Sequence, residues 1–255
     1  MATSLFDLTG RTALVTGSTS GIGFALARGL AQAGAQVVVN GRDSGRAEAA
    51  TESLRVEGLC ASASCFDVMD PERVAPAIDL IEADVGPIDI LINNAGIQKR
   101  APLVEMSLAT WEEVVRVNLT GVFVVGQAVG RRMVARRRGK IVNICSLMSE
   151  VARKTIAPYT AAKGAVKQLT RAMCVEWAGY NIQVNGIGPG YFVTPMNEAL
   201  VNDPDFDAWI RSRTPAGRWG RTEELVGAAI FLSSPASDFV NGQVIYVDGG
   251  VLAAI

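Results

Sequence analysis

Seven short runs rich in apolar and β-branched residues punctuate the chain: TALVTG (12–17), AQVVVNG (35–41), CASASCFDV (60–68), IDILINNAG (88–96), KIVNICS (140–146), IQVNGIGPG (182–190) and GQVIYVDGG (242–250). Between them lie stretches with helical periodicity, among them 22–33, 71–83, 111–137 and 159–177. A strand that must wait for a helix before the next strand arrives pairs in parallel through right-handed crossovers. A parallel sheet in turn needs helices on both faces. The alternation therefore predicts an α/β fold with a doubly wound parallel sheet of about seven strands. No repeat, low-complexity tract or linker splits the chain, and a 49% hydrophobic content over 255 residues suffices for one core, so residues 1–255 read as a single domain.

Composition removes several classes of function. A formal charge of −1 supplies no field for a polyanion, so nucleic acid is not an expected partner. The start, MATSLFDLTG, has neither a basic stretch nor an apolar segment of signal-peptide length, and no apolar run reaches the roughly 18 residues of a membrane span. A soluble, unprocessed, cytoplasmic protein is expected, with no membrane partner. The basic run Arg131, Arg132, Arg136, Arg137, Arg138 and Lys140 is expected to end a helix and face water. Cys60, Cys65, Cys145 and Cys174 show neither a CxxC pair nor disulfide-framework spacing and read as reduced, buried and inert. Histidine is absent, which removes Ser-His-Asp and Cys-His nucleophile schemes and His-ligated zinc. No metal is expected, and acid–base chemistry falls to Tyr, Lys, Asp or Glu.

The first run leads into TGSTSGIG, which places Gly17, Gly21 and Gly23, with Ser18 and Ile22, at a strand-to-helix turn. Glycines there let the backbone approach a pyrophosphate, and the helix N-terminus offers unpaired N–H groups. The domain is therefore read as Rossmann-type and dinucleotide-binding. After the second run come Asn40, Gly41 and Arg42, where an NAD-preferring site usually offers a carboxylate to the adenosine ribose. Arg42 can instead pair with the extra phosphate of NADP, the favoured cofactor. Asp67 and Val68 end the third run, placed to meet the adenine. Tyr159 and Lys163 are four residues apart, on one helix face, and Ser146 ends the fifth run on the sheet edge that carries the glycine loop. The stretch 190–221 carries Pro195, Pro204, Pro215, Phe206, Trp209 and Trp219 without a strand pattern. It reads as a small helical substrate lid over the strands' carboxyl ends.

TGSTSGIG, NNAG at 93–96, Asn118, Ser146, Tyr159-x-x-x-Lys163 and the Pro189-Gly190 turn together resemble the short-chain dehydrogenase/reductase family, in order and spacing, over essentially the whole chain. The resemblance implies that Ser146 hydrogen-bonds the substrate oxygen and Tyr159 exchanges its proton. It implies that Lys163 binds the nicotinamide ribose and depresses the tyrosine pKa, and that Asn118 holds a water in a proton relay. Asn94, Ala95 and Gly96 would line the adenosine side, and Pro189 and Gly190 would touch the cofactor. The physics agrees with these roles: a free tyrosine titrates near pH 10, and nearby positive charge from Lys163 and an oxidised nicotinamide lowers that value. Tyrosine can then serve as base for oxidation and acid for reduction.

The stretches INNAGIQKR, NICSLMSE, MCVEWAGYNIQVNGIGPGYF, RTPAGRWG and FLSSPASDFVNG are similar to one branch of that family, which interconverts a hydroxylated sugar acid and its keto form, usually with NADP. A small-molecule sugar acid is the implied partner. Arg100 or Arg153 would pair with its carboxylate and Glu150 would hold hydroxyls. Some members carry an acid where Gly41 stands here, so NAD is a second cofactor option. Two other readings stay open: a reductase for another carbonyl, such as a polyol or 3-oxoacyl thioester, and a non-catalytic dinucleotide-binding sensor or scaffold. By analogy with the family the chain is expected to form a homotetramer, with the terminal VLAAI buried at an interface.

Overall fold

The computed structural model describes residues 3–254. Seven strands form one all-parallel sheet in the order β3-β2-β1-β4-β5-β6-β7, with ranges β1 Thr12–Val15, β2 Gln36–Gly41, β3 Ala61–Cys65, β4 Ile88–Asn93, β5 Gly139–Ile144, β6 Ile182–Pro189 and β7 Val244–Val247. Every expected strand is present, each shorter than its apolar run because the flanking residues leave the ladder as turns. The helices are α1 Gly21–Gln32, α2 Ser44–Val56, α3 Pro71–Asp84, α4 Leu108–Val115, α5 Gly121–Arg136, α6 Ala157–Trp177, α7 Glu198–Val201, α8 Pro204–Arg213 and α9 Val226–Ser233. The fold is a Rossmann-type doubly wound α/β domain.

The central strands read as continuous apolar runs because both of their faces are covered. On one face Leu26 and Leu30 of α1 and Ala229 and Leu232 of α9 pack on Val15, Val37, Ile90 and Ile92. On the other, Val74 and Ile78 of α3, Val125 and Val129 of α5 and Met173 of α6 pack on Leu14, Val38, Leu91 and Ile141. The reversal of strand order between β1 and β4 opens a crevice at the strands' carboxyl ends, where such sheets bind ligands.

Three expectations need correction. The single helix read over 111–137 is interrupted by a π-helical turn at Arg116–Thr120, a local widening that hydrophobic periodicity does not register. The basic run does not simply face water. Arg132 and Arg136 pair with Glu82 of α3, Arg132 also with Asp79, Arg138 with Asp89 of β4 and Lys140 with Asp238, so the run ties the end of α5 to its neighbours. The cysteines are not all buried. Cys145 is, but Cys60 and Cys65 are exposed because β3 is an edge strand.

At the chain's end, Val251 and Leu252 already pack on Leu147, Met148 and Ile156 of their own chain, and Ile255 of VLAAI lies outside the described residues. Among the described residues no helix is long and apolar enough to cross a membrane.

Candidate active site

A cavity of about 670 Å³ opens along the carboxyl edge of the sheet and runs from the glycine loop to Tyr191 and the turn around Pro195. Gly17, Gly21 and Gly23 shape its floor. Gly17 has φ +60°, and a Cβ there would lie 2.8 Å from Cα of Ala95. One on Gly23 would lie 2.4 Å from both Nδ2 of Asn94 and the carbonyl oxygen of Gly17. Only glycine permits this approach of the loop to the end of β4. Asn94 fastens it, its Nδ2 donating to the carbonyls of Thr16 (2.9 Å) and Gly17 (3.0 Å). Ser20, the N-cap of α1, makes no side-chain cap bond, so no side chain of the cap competes for the helix's first N–H groups.

Ser18, expected at the cofactor, turns the other way. It is wholly buried, its Oγ donating to Val15 O at 2.6 Å and accepting from Asn40 N at 3.0 Å, while Thr19 and Ser20 line the cavity instead. The loop TGSTSG offers several small hydroxyls in a row, and only its folded dihedrals decide which one faces inward. Asn40 is buried as a strut, accepting from Gly17 N and donating to the carbonyls of Ser64 and Phe66.

Gly41 and Arg42 line the cavity as expected, and Arg46, one turn into α2, joins them. A Cβ on Gly41 would lie 2.6 Å from Cγ2 of Thr19. Asp43 also reaches the cavity wall, but its carboxylate is engaged at 2.8 Å by Arg46 N as the N-cap of α2. Asp67 serves in two ways: it lines the cavity beside Val68, 3.9 Å from Arg42, and it accepts from Met69 N at 3.0 Å as an ordinary turn acid.

At the other end stand Ser146, Tyr159 and Lys163. Ser146 lies two residues past β5 and caps the short helical turn Leu147–Ser149, accepting from Met148 N at 3.1 Å. Ser149 Oγ donates to the Lys163 carbonyl at 2.8 Å, which pins that turn to α6. Tyr159 is hydrogen-bonded to Ser146, which lowers its pKa, but burial is the stronger influence and pushes the phenol up. Lowering it therefore falls to positive charge brought alongside. The Lys163 ammonium is buried, donates to the Ile144 carbonyl at 2.6 Å and lies 5.7 Å from the centre of the Tyr159 ring. Burial brings its pKa down to about 8.

Asn118 sits in the π-helical turn, wholly buried. Its Oδ1 accepts from Ile97 N at 2.9 Å and its Nδ2 donates to Ile97 O at 2.7 Å. Its side chain is thus spent on fixing the loop after β4. Gly96 is tight against it, a Cβ there falling 2.6 Å from Asn118 Oδ1.

The substrate end departs most from expectation. Glu150 does not face the cavity. It pairs with Lys167 of α6 and with the Tyr246 hydroxyl of β7, and those bonds hold its carboxyl below the usual range. Lys167 lies one turn beyond Lys163, a spacing that could have warned of this capture. Arg100 and Arg153 both line the cavity. Neither has an acidic partner among the described residues, and burial together with the Arg153 charge lowers the pKa of Arg100. Tyr191, just past β6, was not singled out by any pattern and lines the cavity between them and the lid. The stretch 190–221 folds as α7, α8 and their flanking turns, its two ends tied together by a bridge between Phe192 and Gly220.

A doubly wound sheet with a glycine-floored crevice, ending at a Ser-Tyr-Lys cluster, defines a dinucleotide-dependent oxidoreductase. A family model described as enoyl-(acyl carrier protein) reductase matches residues 17–252. The chain is 57% identical over 251 residues to gluconate 5-dehydrogenase of Gluconobacter oxydans, covering 98% of each. It is 56% identical over 251 residues to 5-keto-D-gluconate 5-reductase of Escherichia coli K12, covering 98% of this chain and 99% of the relative. The crystal structure of a gluconate 5-dehydrogenase from Burkholderia cenocepacia, in complex with NADP and tartrate, superposes with a TM-score of 0.98 at 57% identity over 100% of both chains. The chain belongs to the short-chain dehydrogenase/reductase family.

Proposed function

We propose that the protein interconverts D-gluconate and 5-keto-D-gluconate with NADP(H), Tyr159 acting as acid and base. The observation that carries this reading is the meeting, in one cavity, of Ser146, Tyr159 and Lys163 with two arginines, Arg100 and Arg153, that no carboxylate among the described residues neutralises. A small acid bearing hydroxyls satisfies both halves of such a site. The names of the relatives in Gluconobacter oxydans and Escherichia coli support the particular acid.

The glycine floor and the uncapped start of α1 suit a pyrophosphate, and Arg42 with Arg46 suits a ribose phosphate, so the residues present fit NADP. When bound, the nicotinamide supplies the hydride acceptor or donor. Ser146 orients the reacting oxygen and Tyr159 takes or returns its proton. Lys163 holds the ribose and favours the phenolate, and Asn118 keeps Ile97 in place while its main chain serves the relay. Gly96, Pro189 and Gly190 complete the cofactor wall.

Oxidation of gluconate and reduction of 5-keto-gluconate are expected, with other aldonates slower and an acyl thioester inert. A steady-state screen in both directions checks this, and no turnover of any sugar acid would overturn the reading. Arg42→Ala is expected to lower the ratio of NADP to NAD efficiency roughly ten- to a hundred-fold, the worth of a charge-assisted hydrogen bond or two. An unchanged ratio would remove Arg42 from cofactor selection. Since kcat/KM for NADPH reports the free enzyme, it should fall with unit slope above about pH 8 as Lys163 loses its proton. A profile flat to pH 10 would show that the lysine charge is not needed.

The same reading makes the protein cytoplasmic, in keeping with four cysteines that are all free. It also makes it a homotetramer, supported by the exposed Leu103, Val104, Leu108 and Phe123 on and beside α4 and α5. Light scattering tests the assembly, and a monomer would refute it.

A further inference from the structure

We infer that Phe206 and Tyr191 are positioning residues, whose rings hold the Arg153 guanidinium ready to receive the substrate's carboxylate. The inference rests on the reading of the substrate as a sugar acid.

Arg153 reaches from the loop after β5 toward the lid. Its guanidinium carbon lies 4.9 Å from the centre of the Phe206 ring and 5.9 Å from that of Tyr191. It makes no hydrogen bond or ion pair to any described residue, and its Nε is buried without a partner. An arginine held by a carboxylate spends its charge and its in-plane donors on that carboxylate. One held against ring faces keeps both, because the contact is made perpendicular to the guanidinium plane. The charge of Arg100 bears on the same region, since the two guanidinium groups repel one another. Two cations beside one cavity, neither with an acidic partner among the described residues and one with terminal guanidinium nitrogens that make no hydrogen bond, make a receptor for an anion that accepts in-plane hydrogen bonds.

The rings are themselves anchored. Tyr191 meets Phe206, Trp209 and Trp219 with centres 5.9 to 6.1 Å apart. Trp219 Nε1 donates to Asp207 Oδ1 at 2.8 Å, and Asp207 also pairs with Arg211 at 2.7 Å. The orientation of Arg153 is therefore set by α8, a lid element that contributes no acid to it. Tyr191 borders the cavity, but Phe206 does not, so Phe206 can act on substrate only through the side chains it touches, Arg153 and Tyr191.

The test uses the full-length enzyme with saturating NADP and compares KM and kcat for gluconate in Arg153→Met, Phe206→Leu and Phe206→Tyr. Arg153→Met is expected to raise KM. Phe206→Leu should raise it roughly ten-fold, the worth of a desolvated cation–π contact, with kcat and the KM for NADP within about two-fold. Phe206→Tyr, which keeps the ring face, should restore the wild-type value. Phe206→Met replaces Phe206→Leu if leucine weakens NADP binding. A raised KM in Arg153→Met with none in Phe206→Leu would overturn the inference, as would equal losses in the leucine and tyrosine variants. An unchanged KM in Arg153→Met would instead overturn the assignment of the carboxylate to Arg153, and the inference with it. A wild-type enzyme inert toward sugar acids would overturn the substrate reading beneath both.

Discussion

Tyr159→Phe is expected to lower kcat by about 10³-fold in both directions while NADPH still binds with an affinity within about two-fold of wild type. The substitution removes one oxygen and leaves the ring that packs beside Met148 and Ile156. General acid–base catalysis of this kind is worth roughly 10² to 10⁴ in rate. The chain contains no histidine, and Lys163 is engaged by the Ile144 carbonyl, so neither a histidine nor that lysine is placed to take over the proton. Single-turnover rates and NADPH fluorescence titration check the two halves separately. Retained turnover would mean that another group moves the proton, and lost NADPH binding would mean that the phenol is structural.

Lys163→Met is expected to have effects of opposite sign on activity and stability. The lysine pKa falls from 10.5 to about 8 because burial disfavours the ammonium. At 1.36 kcal/mol per pKa unit, a charged Lys163 costs the folded state about 3 kcal/mol. The sign follows from proton binding: between about pH 8 and 10.5 the unfolded chain binds the proton more fully, so stability rises with pH across that window. The full penalty applies below it. Methionine has nearly the same length and no charge. It removes that penalty and leaves the Ile144 carbonyl without its partner, a loss of about 1 to 3 kcal/mol. The balance favours the variant by about 1 kcal/mol near pH 7, a rise of about 2 to 4 °C in Tm for a chain of this size. Turnover should fall about 10²-fold or more, because the charge that favours the phenolate is gone. Thermal melts at pH 7 and pH 10.5 check the stability half, and the gain should disappear at the higher pH. A Tm that drops at pH 7 would show that the lysine is held for the fold rather than for the reaction.

The seven strands and the principal helices were legible because both depend on local periodicity and on turn residues. Tyr159 and Lys163 were legible as a pair because a spacing of four on α6 guarantees a shared face. The glycine loop was legible because only glycine tolerates positions such as Gly17 and Gly23. Glu150 was misread because the partners that divert it come from elsewhere, Lys167 on α6 and Tyr246 on β7, 96 residues further along the chain. Ser18 was misread for a similar reason, since its partners on β1 and β2 draw the hydroxyl under the loop.

By itself the sequence determined the doubly wound sheet and the edge at which such sheets bind ligand, since both follow from the alternation of strands and helices and from the glycine loop. It also singled out the candidates for moving the proton, Tyr159 and Lys163 through their spacing and Ser146 through its place after the fifth strand. The tertiary structure alone decided which polar side chains remain unspent. A charge is available to substrate only if packing leaves it without a partner, and partners are chosen by contacts between distant segments. That is why Glu150 is engaged by Lys167 and Tyr246 while Arg153, lying over ring faces rather than beside an acid, stays unpaired at the cavity.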